Sequence, residues 1–190
     1  QYEFIKINPQ ISIVGSDVFE FNNNSKNLIL KKVTNNLNSI KYSLRNPLNH
    51  PTVLFRKKDI IKSGSYKNIK FFEDYELWLR CLKKGLNIHN INLPLVAMKR
   101  TSYFSKRHGF KYALYELNFL KETLKEKTIP RFLIPIYLFR ICIRLVPVRL
   151  LDLSRIIDPL RNKYKNSYDL AIYIRNINEN SNFKKFNFLN

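Results

Sequence analysis

Short apolar runs separated by helical periodicities constrain this chain more than any other feature. ISIV opens residues 11–21 as a buried strand that breaks at Gly15, after which Val18, Phe19, Glu20 and Phe21 alternate. Residues 28–33 read as a short strand or turn, and 35–44 as a weak helix. RNPLNHP, residues 45–51, is a loop punctuated by Pro47 and Pro51. TVLFR, residues 52–56, reads as a buried strand, and KKDIIKSG, residues 57–64, as a short helix closed by Gly64. The helical signal is strongest over 73–84, where Tyr75, Trp78, Leu79 and Leu82 share one face and Gly85 supplies the stop. Residues 87–100 read as extended, interrupted at Pro94. Residues 108–126 form a second helix, with Leu114, Leu117, Phe119, Leu120 and Leu124 as its apolar positions. Strands and helices alternating at this size predict an α/β layout up to about Lys127.

Composition bounds the partners. A chain of 190 residues with 45% hydrophobic content has enough apolar surface for one ordinary domain. Lys and Arg number 34 against 14 Asp and Glu, and a net charge of +20 calls for an anionic partner: nucleic acid, an anionic membrane surface or a phosphorylated small molecule. Heavy use of Asn, Lys and Ile also fits a biased genome, so part of that charge carries no function. Cys81 and Cys142 are far apart and lack metal-like spacing, which argues against a disulfide scaffold and a cysteine zinc site and leaves reduced thiols as the expectation. The opening QYEFIKINPQ has no signal-peptide layout. It reads as the tail of a helix and a loop at Asn8-Pro9, as if the chain starts mid-domain.

Beyond Pro130 the composition changes. Residues 131–157 are strongly apolar but interrupted by Arg140, Arg144, Arg149, Pro135 and Pro147, too often for a membrane span of about 20 apolar residues. Arg140 and Arg144 lie four apart on one helix face, with Leu138, Ile141, Cys142 and Leu145 on others. Two readings stand: a basic helix lying in a membrane interface, or a helix packed on the domain. The chain thus divides into an α/β part (1–127), a basic apolar helical region (128–161) and a polar, aromatic tail expected to be loosely ordered (162–190). No internal repeat and no Gly-rich phosphate loop occurs.

FFEDYELWLR, residues 71–80, sets two adjacent carboxylates, Glu73 and Asp74, at the start of the strongest helix. Near an apolar wall of Phe71, Phe72 and Trp78, such a pair can serve as a general base. It can equally complement the positive end of the helix dipole.

The surrounding segments resemble the family 2 glycosyltransferases, in particular the bacterial enzymes of capsular and exopolysaccharide assembly, the amylovoran-type transferases. QYEFIKINPQISIVGSDVFEF resembles the segment that leaves the nucleotide-binding half of that family; NHPTVLFRKKDIIKSGSY (49–66) its H-x-T-V-x-F-R strand, helix and turn; FFEDYELWLRCLKKG its acidic-pair segment; MKRTSYFSKRHGFKY (98–112) the basic segment that follows; and LVPVRLLDLSRIIDPLR its basic, membrane-proximal end. The resemblance covers roughly residues 1–161 and implies part of a GT-A fold, an α/β mixed sheet with flanking helices, on the acceptor side. The family's Asp-x-Asp metal motif is absent from this sequence, and the resemblance places it just upstream of Gln1, so the chain is expected to lack the nucleotide-binding half and to be inactive alone.

The chemistry so implied is an inverting single displacement from a nucleotide-diphosphate sugar to a glycan or lipid-linked acceptor. By the resemblance Asp74 is the base and Glu73 supports it. Arg100, Lys106, Arg107 and His108 are candidates to face the diphosphate, with a solvated basic loop as the alternative, and His50 belongs to the matching H-x-T-V motif. Trp78 offers a stacking face to a sugar, or is a core aromatic. The family uses a divalent cation, Mg or Mn, for the leaving diphosphate; this chain is expected not to bind one tightly. The implied location is cytoplasmic, peripheral on the inner face of the cell membrane.

Two other classes compete. A nucleic-acid module fits the charge and the 14% aromatic content, but the Lys and Arg are spread out and no RNP, zinc-finger or helix-turn-helix pattern occurs. A non-catalytic membrane-surface protein would use residues 131–157 alone.

Overall fold

The computed structural model describes residues 1–22, 25–33, 39–99, 107–146 and 161–164. Every residue from Ile11 to Glu20 is buried, which makes this stretch the spine of the sheet. It lies in β1 (Ile11–Asn22), which pairs in parallel along its length with β4 (Asn87–Lys99), from Ile11 beside Asn87 to Phe21 beside Lys99. A strand has two edges, so the other is shared. Ile13 and Val14 pair with β3 (Leu54–Phe55), and residues 18–22 pair with β2 (Ser25–Lys31), both antiparallel. β5 (Arg161–Tyr164) adds antiparallel to β2, a strand where the tail was expected to begin. The predicted mixed α/β sheet is therefore present, with five strands among the described residues.

Side chains alternate across β1. Ile13 joins Ile88 in a cluster under α4 (Glu73–Lys83), while Val14 joins Ile91 under Phe4 and Ile5 of α1 (Tyr2–Ile7). Helices thus cover both faces. The break predicted at Gly15 does not occur. A Cβ there would meet Asn90 Oδ1 at 2.4 Å and Leu48 Cδ2 at 2.6 Å, so the glycine serves close approach, not a turn. We expect Gly15→Ala to cost about 1–3 kcal/mol by overpacking. Denaturant unfolding checks this, and an unchanged midpoint would refute it. The interruption predicted at Pro94 is real but local: the β1–β4 register shifts between Ser16 and Asp17, the latter facing Pro94, and the strand continues. Proline brings no N–H to the ladder, so an irregularity belongs there.

The predicted strand 52–56 shrinks to two residues. His50–Thr52 form a 3-10 turn, and Arg56 precedes α3 (Lys57–Lys62) while its guanidinium donates to the carbonyls of Ile5 (2.5 Å) and Ile11 (3.0 Å). Gly64 and Gly85 end α3 and α4 at positive φ, as predicted.

A second core lies between α4, α2 (Ser39–Leu44), α5 (Phe110–Lys125) and α6 (Ile134–Leu145), built on Tyr42, Phe72, Tyr75, Phe119 and Tyr137. The last carbonyls of a helix have no partner within it. Those of α2 are met from the neighbours: Tyr75 donates to Tyr42 (2.6 Å), Tyr137 to Ser43 and Arg140 to Leu44 (3.2 Å). This fastens the short helix that leads into the 45–51 loop.

On α5 the predicted apolar face holds at Phe119 and Leu120, both buried, and at Leu124, packed against the same core, but not at Leu114 and Leu117, which are exposed; Tyr112, Glu116 and Thr123 point inward instead. Glu116 occupies an inward position because α6 neutralises it: Arg140 Nη2 lies 2.9 Å and Arg144 Nε 2.8 Å from its carboxylate. The Arg140–Arg144 face is therefore turned to the domain, with Tyr137 fully buried beside it. Residues 147–160 of the predicted basic apolar region lie outside the described residues.

Candidate active site

A cleft of about 690 Å³ opens where β1, β2 and β4 end. Its floor carries Val18, Glu20, Lys31 and Met98. The loop from Arg45 to Pro51 forms one wall, and Phe71, Glu73 and Asp74 form another, with Lys99 and Arg107 at the rim. Both carboxylates of the acidic pair thus line a cavity large enough for a sugar unit and part of its substituents.

The local sequence explains how they get there. Phe71 adopts φ +68, a left-handed backbone that costs a non-glycine residue about 1–2 kcal/mol. Its ring repays part of this by packing against Tyr112 and Tyr115, both at 5.4 Å between centroids. The reversal lets Phe72 enter the core and starts α4 at Glu73, so the first turn faces the cleft. Glu73 is exposed and Asp74 half-buried. Asn46 Nδ2 donates to Asp74 Oδ2 at 2.9 Å, and Asn46 Oδ1 accepts from the Leu48 amide at 3.2 Å.

The opposite wall is pinned to the centre of β1. Thr52 Oγ1 accepts from the Ser16 amide (2.9 Å) and Asn49 Nδ2 donates to the Ser16 carbonyl (3.0 Å). From β4, Asn90 Nδ2 donates to the Pro47 carbonyl (3.0 Å). Asn46, Asn49 and Thr52 are thus what the NPLNHPT segment provides, with Asn90 reaching in from β4: side-chain amides and a hydroxyl that hold a loop rigid without regular structure. His50 is exposed on this wall, its ring 6.1 Å from those of Tyr66 and Trp78. Burial first, then the charges of Asp74, Cys81 and Glu73, push the Tyr66 phenol up, so it stays a hydrogen-bond donor beside the acidic pair.

A buried ion pair supports that corner. Glu76 and Arg80 meet in a bidentate bridge (2.7 and 2.8 Å) under α4. Arg80 also donates to the carbonyls of Ser63 and, at 2.6 Å, Ser65. The turn that carries Tyr66 is thereby tied to the helix that carries Asp74.

Of the residues singled out from sequence, the cleft brings together Glu73, Asp74, His50 and Arg107. His108 follows Arg107, half-buried and off the lining. Arg100 and Lys106 lie outside the described residues. Trp78 is fully buried among Ile13, Leu77 and Cys81, so it has no face to offer a sugar; it backs His50 as a core aromatic. Sequence reasoning missed Glu20, Lys31, Arg45, Asn46 and Lys99. The signal for Glu20 was an acid within the apolar run VFEF; for Asn46 it was its place before Pro47. Among the described residues no three His, Cys, Asp or Glu side chains gather as a metal-binding group.

No protein-family model matches the chain. It is 42% identical over 119 residues to the UDP-Gal:alpha-D-GlcNAc-diphosphoundecaprenol beta-1,3-galactosyltransferase of Escherichia coli, covering 60% of this chain and 43% of that protein. It is 32% identical over 158 residues to the amylovoran biosynthesis glycosyltransferase AmsE of Erwinia amylovora, covering 80% and 58%. It is 32% identical over 143 residues to the O-antigen biosynthesis glycosyltransferase WbnJ of Escherichia coli, covering 73% and 56%. The chain spans about half the length of these curated relatives and is glycosyltransferase-like in sequence.

Proposed function

We propose that this chain forms the acceptor side of an inverting, family 2 glycosyltransferase of GT-A fold, acting in cell-surface polysaccharide synthesis. The observation that carries the reading is Asp74: a half-buried carboxylate, oriented by Asn46, on the wall of a sugar-sized cleft with cations opposite. Similarity to a galactosyltransferase named for a diphosphoundecaprenol substrate supports a glycan or lipid-linked acceptor.

In the proposed step Asp74 takes the proton of an acceptor hydroxyl. That oxygen forms a bond to the anomeric carbon, and the bond from this carbon to the donor's phosphate oxygen breaks. The nucleoside diphosphate leaves with the electron pair. Positive side chains at the cleft favour that leaving charge, and Arg107 is the described candidate from the basic segment. A divalent cation, Mg or Mn, would supply further charge neutralisation to the diphosphate. The described residues offer no ligand set for it, and none of the steps assigned here runs through one. The 190 residues by themselves, spanning about half of their relatives' length, are proposed not to turn over. The site of action is the cytoplasmic face of the cell membrane.

The test is transfer of a labelled sugar from a nucleotide-diphosphate donor to a lipid-diphosphate glycan by the intact protein, with proton NMR of the product. The expected linkage has the anomeric configuration opposite to that of the donor. A product that keeps the donor's configuration would sink the single displacement.

A further inference from the structure

The α5–α6 hairpin turns an unusual surface to solvent. On α5, Phe110, Leu114 and Leu117 form a stripe at helical spacing, and Phe110 is 69% exposed. On α6 and the turn before it, Phe132, Ile136, Leu138, Phe139 and Leu145 are exposed, Phe139 by 66%. The Gly109 amide donates to the Arg144 carbonyl at 2.8 Å, so Phe110 and Leu145 sit side by side and the two apolar sets join at that end. Surface of this extent marks an interaction site.

Charge says what it meets. Residues 110–145 contain three carboxylates, Glu116, Glu122 and Glu126. Glu116 is buried against Arg140 and Arg144, and the other two face Lys67 at 3.9 and 2.5 Å. The charged groups left outward are Lys111, Lys121, Lys125, Lys127 and Arg131, all exposed. An apolar face rimmed, among the described residues, by cations matches a negatively charged lipid surface. A second copy of the same face would instead set lysine against lysine, since the same patch meets itself in a two-fold dimer. No helix among the described residues is long and apolar enough to cross a membrane, and α6, with 12 residues, can only lie along one.

We propose that the outward face of the α5–α6 hairpin docks on an anionic phospholipid bilayer. Arg140 and Arg144 do not reach the headgroups; they act as inward struts that hold the apolar side chains out. Resting on the transferase reading above, this placement also orients the cleft. Arg107 lies on its rim two residues before Gly109, so the cleft mouth adjoins the docked end, where the phosphate of a lipid-linked acceptor stands.

The experiment is flotation of the full chain with phosphatidylcholine vesicles, with and without phosphatidylglycerol. The wild type is expected to float with the anionic vesicles and weakly with the neutral ones. Leu114→Glu combined with Phe139→Glu, both at exposed positions, is expected to lower the partition at least about tenfold with an unchanged circular dichroism spectrum. Asp74→Asn is expected to float like the wild type here while losing transfer in the intact protein, so loss of transfer and loss of docking are read separately. Equal flotation of the double variant, absence of wild-type flotation, or a concentration-dependent dimer abolished by the same double variant would each overturn the proposal.

Discussion

Asp74→Asn is expected to lower sugar transfer by the intact protein by about three orders of magnitude, in the middle of the range for losing a general base. The substitution keeps the shape, and the new amide oxygen can still accept from Asn46, which now holds Asp74 Oδ2 at 2.9 Å. What it removes is the capacity to take a proton. The loss should therefore fall on kcat, with KM for the acceptor little changed. Asn46→Ala makes the contrast. It leaves the carboxylate but frees its orientation, and a loss of about tenfold is the expected cost of poorer positioning. Initial rates with a labelled donor measure both. A folded Asp74→Asn protein that transfers at the wild-type rate would remove Asp74 from the chemistry.

The second large effect is on stability. Arg80→Leu is expected to destabilise the fold by about 3–5 kcal/mol, because it strands a buried carboxylate. Glu76 has no exposed side-chain surface, and Lys67 at 3.4 Å is its only other cation among the described residues. The Ser63 and Ser65 carbonyls lose their donor at the same time. Replacing both members, Glu76→Leu with Arg80→Leu, should cost less than Arg80→Leu alone, since no charge is then left unpaired. Urea unfolding of the three variants gives the coupling directly. Additive losses would show that the pair is not a unit.

The elements that were legible in the sequence are those whose periodicity is enforced by one buried face. α4 is such a case, since Tyr75 and Leu79 sit one turn apart and Gly85 closes it. The 11–22 strand was legible as apolar, but its break at Gly15 was not real, because the need for space beside Leu48 and Asn90 has no local signature. α5 was legible at Phe119 and Leu120 but not at Glu116, because an ion pair from α6 places that carboxylate inward, and a partner 24 residues away in sequence leaves no mark on the helix itself. The acidic pair was visible as two carboxylates at a helix start. Glu20 and Asn46 were not, because each gains its place only when β1, the 45–51 loop and α4 converge. Trp78 was open both ways in the sequence, as a sugar platform one turn from the pair or as a core aromatic, and the packing of Ile13 and Cys81 decides for the core.

The parallel pairing of β1 with β4 has a consequence in time. Ile11 meets Asn87 and Phe21 meets Lys99, so the longest ladder of the sheet forms only after all the chain between them has been looped round. Contacts of such high sequence separation carry a loop-closure entropy and slow folding. The 45–51 loop, Phe71 and the acidic pair all belong to that intervening stretch. Closing the loop and assembling the cleft are therefore one event, and the cleft geometry arrives with β4 rather than before it.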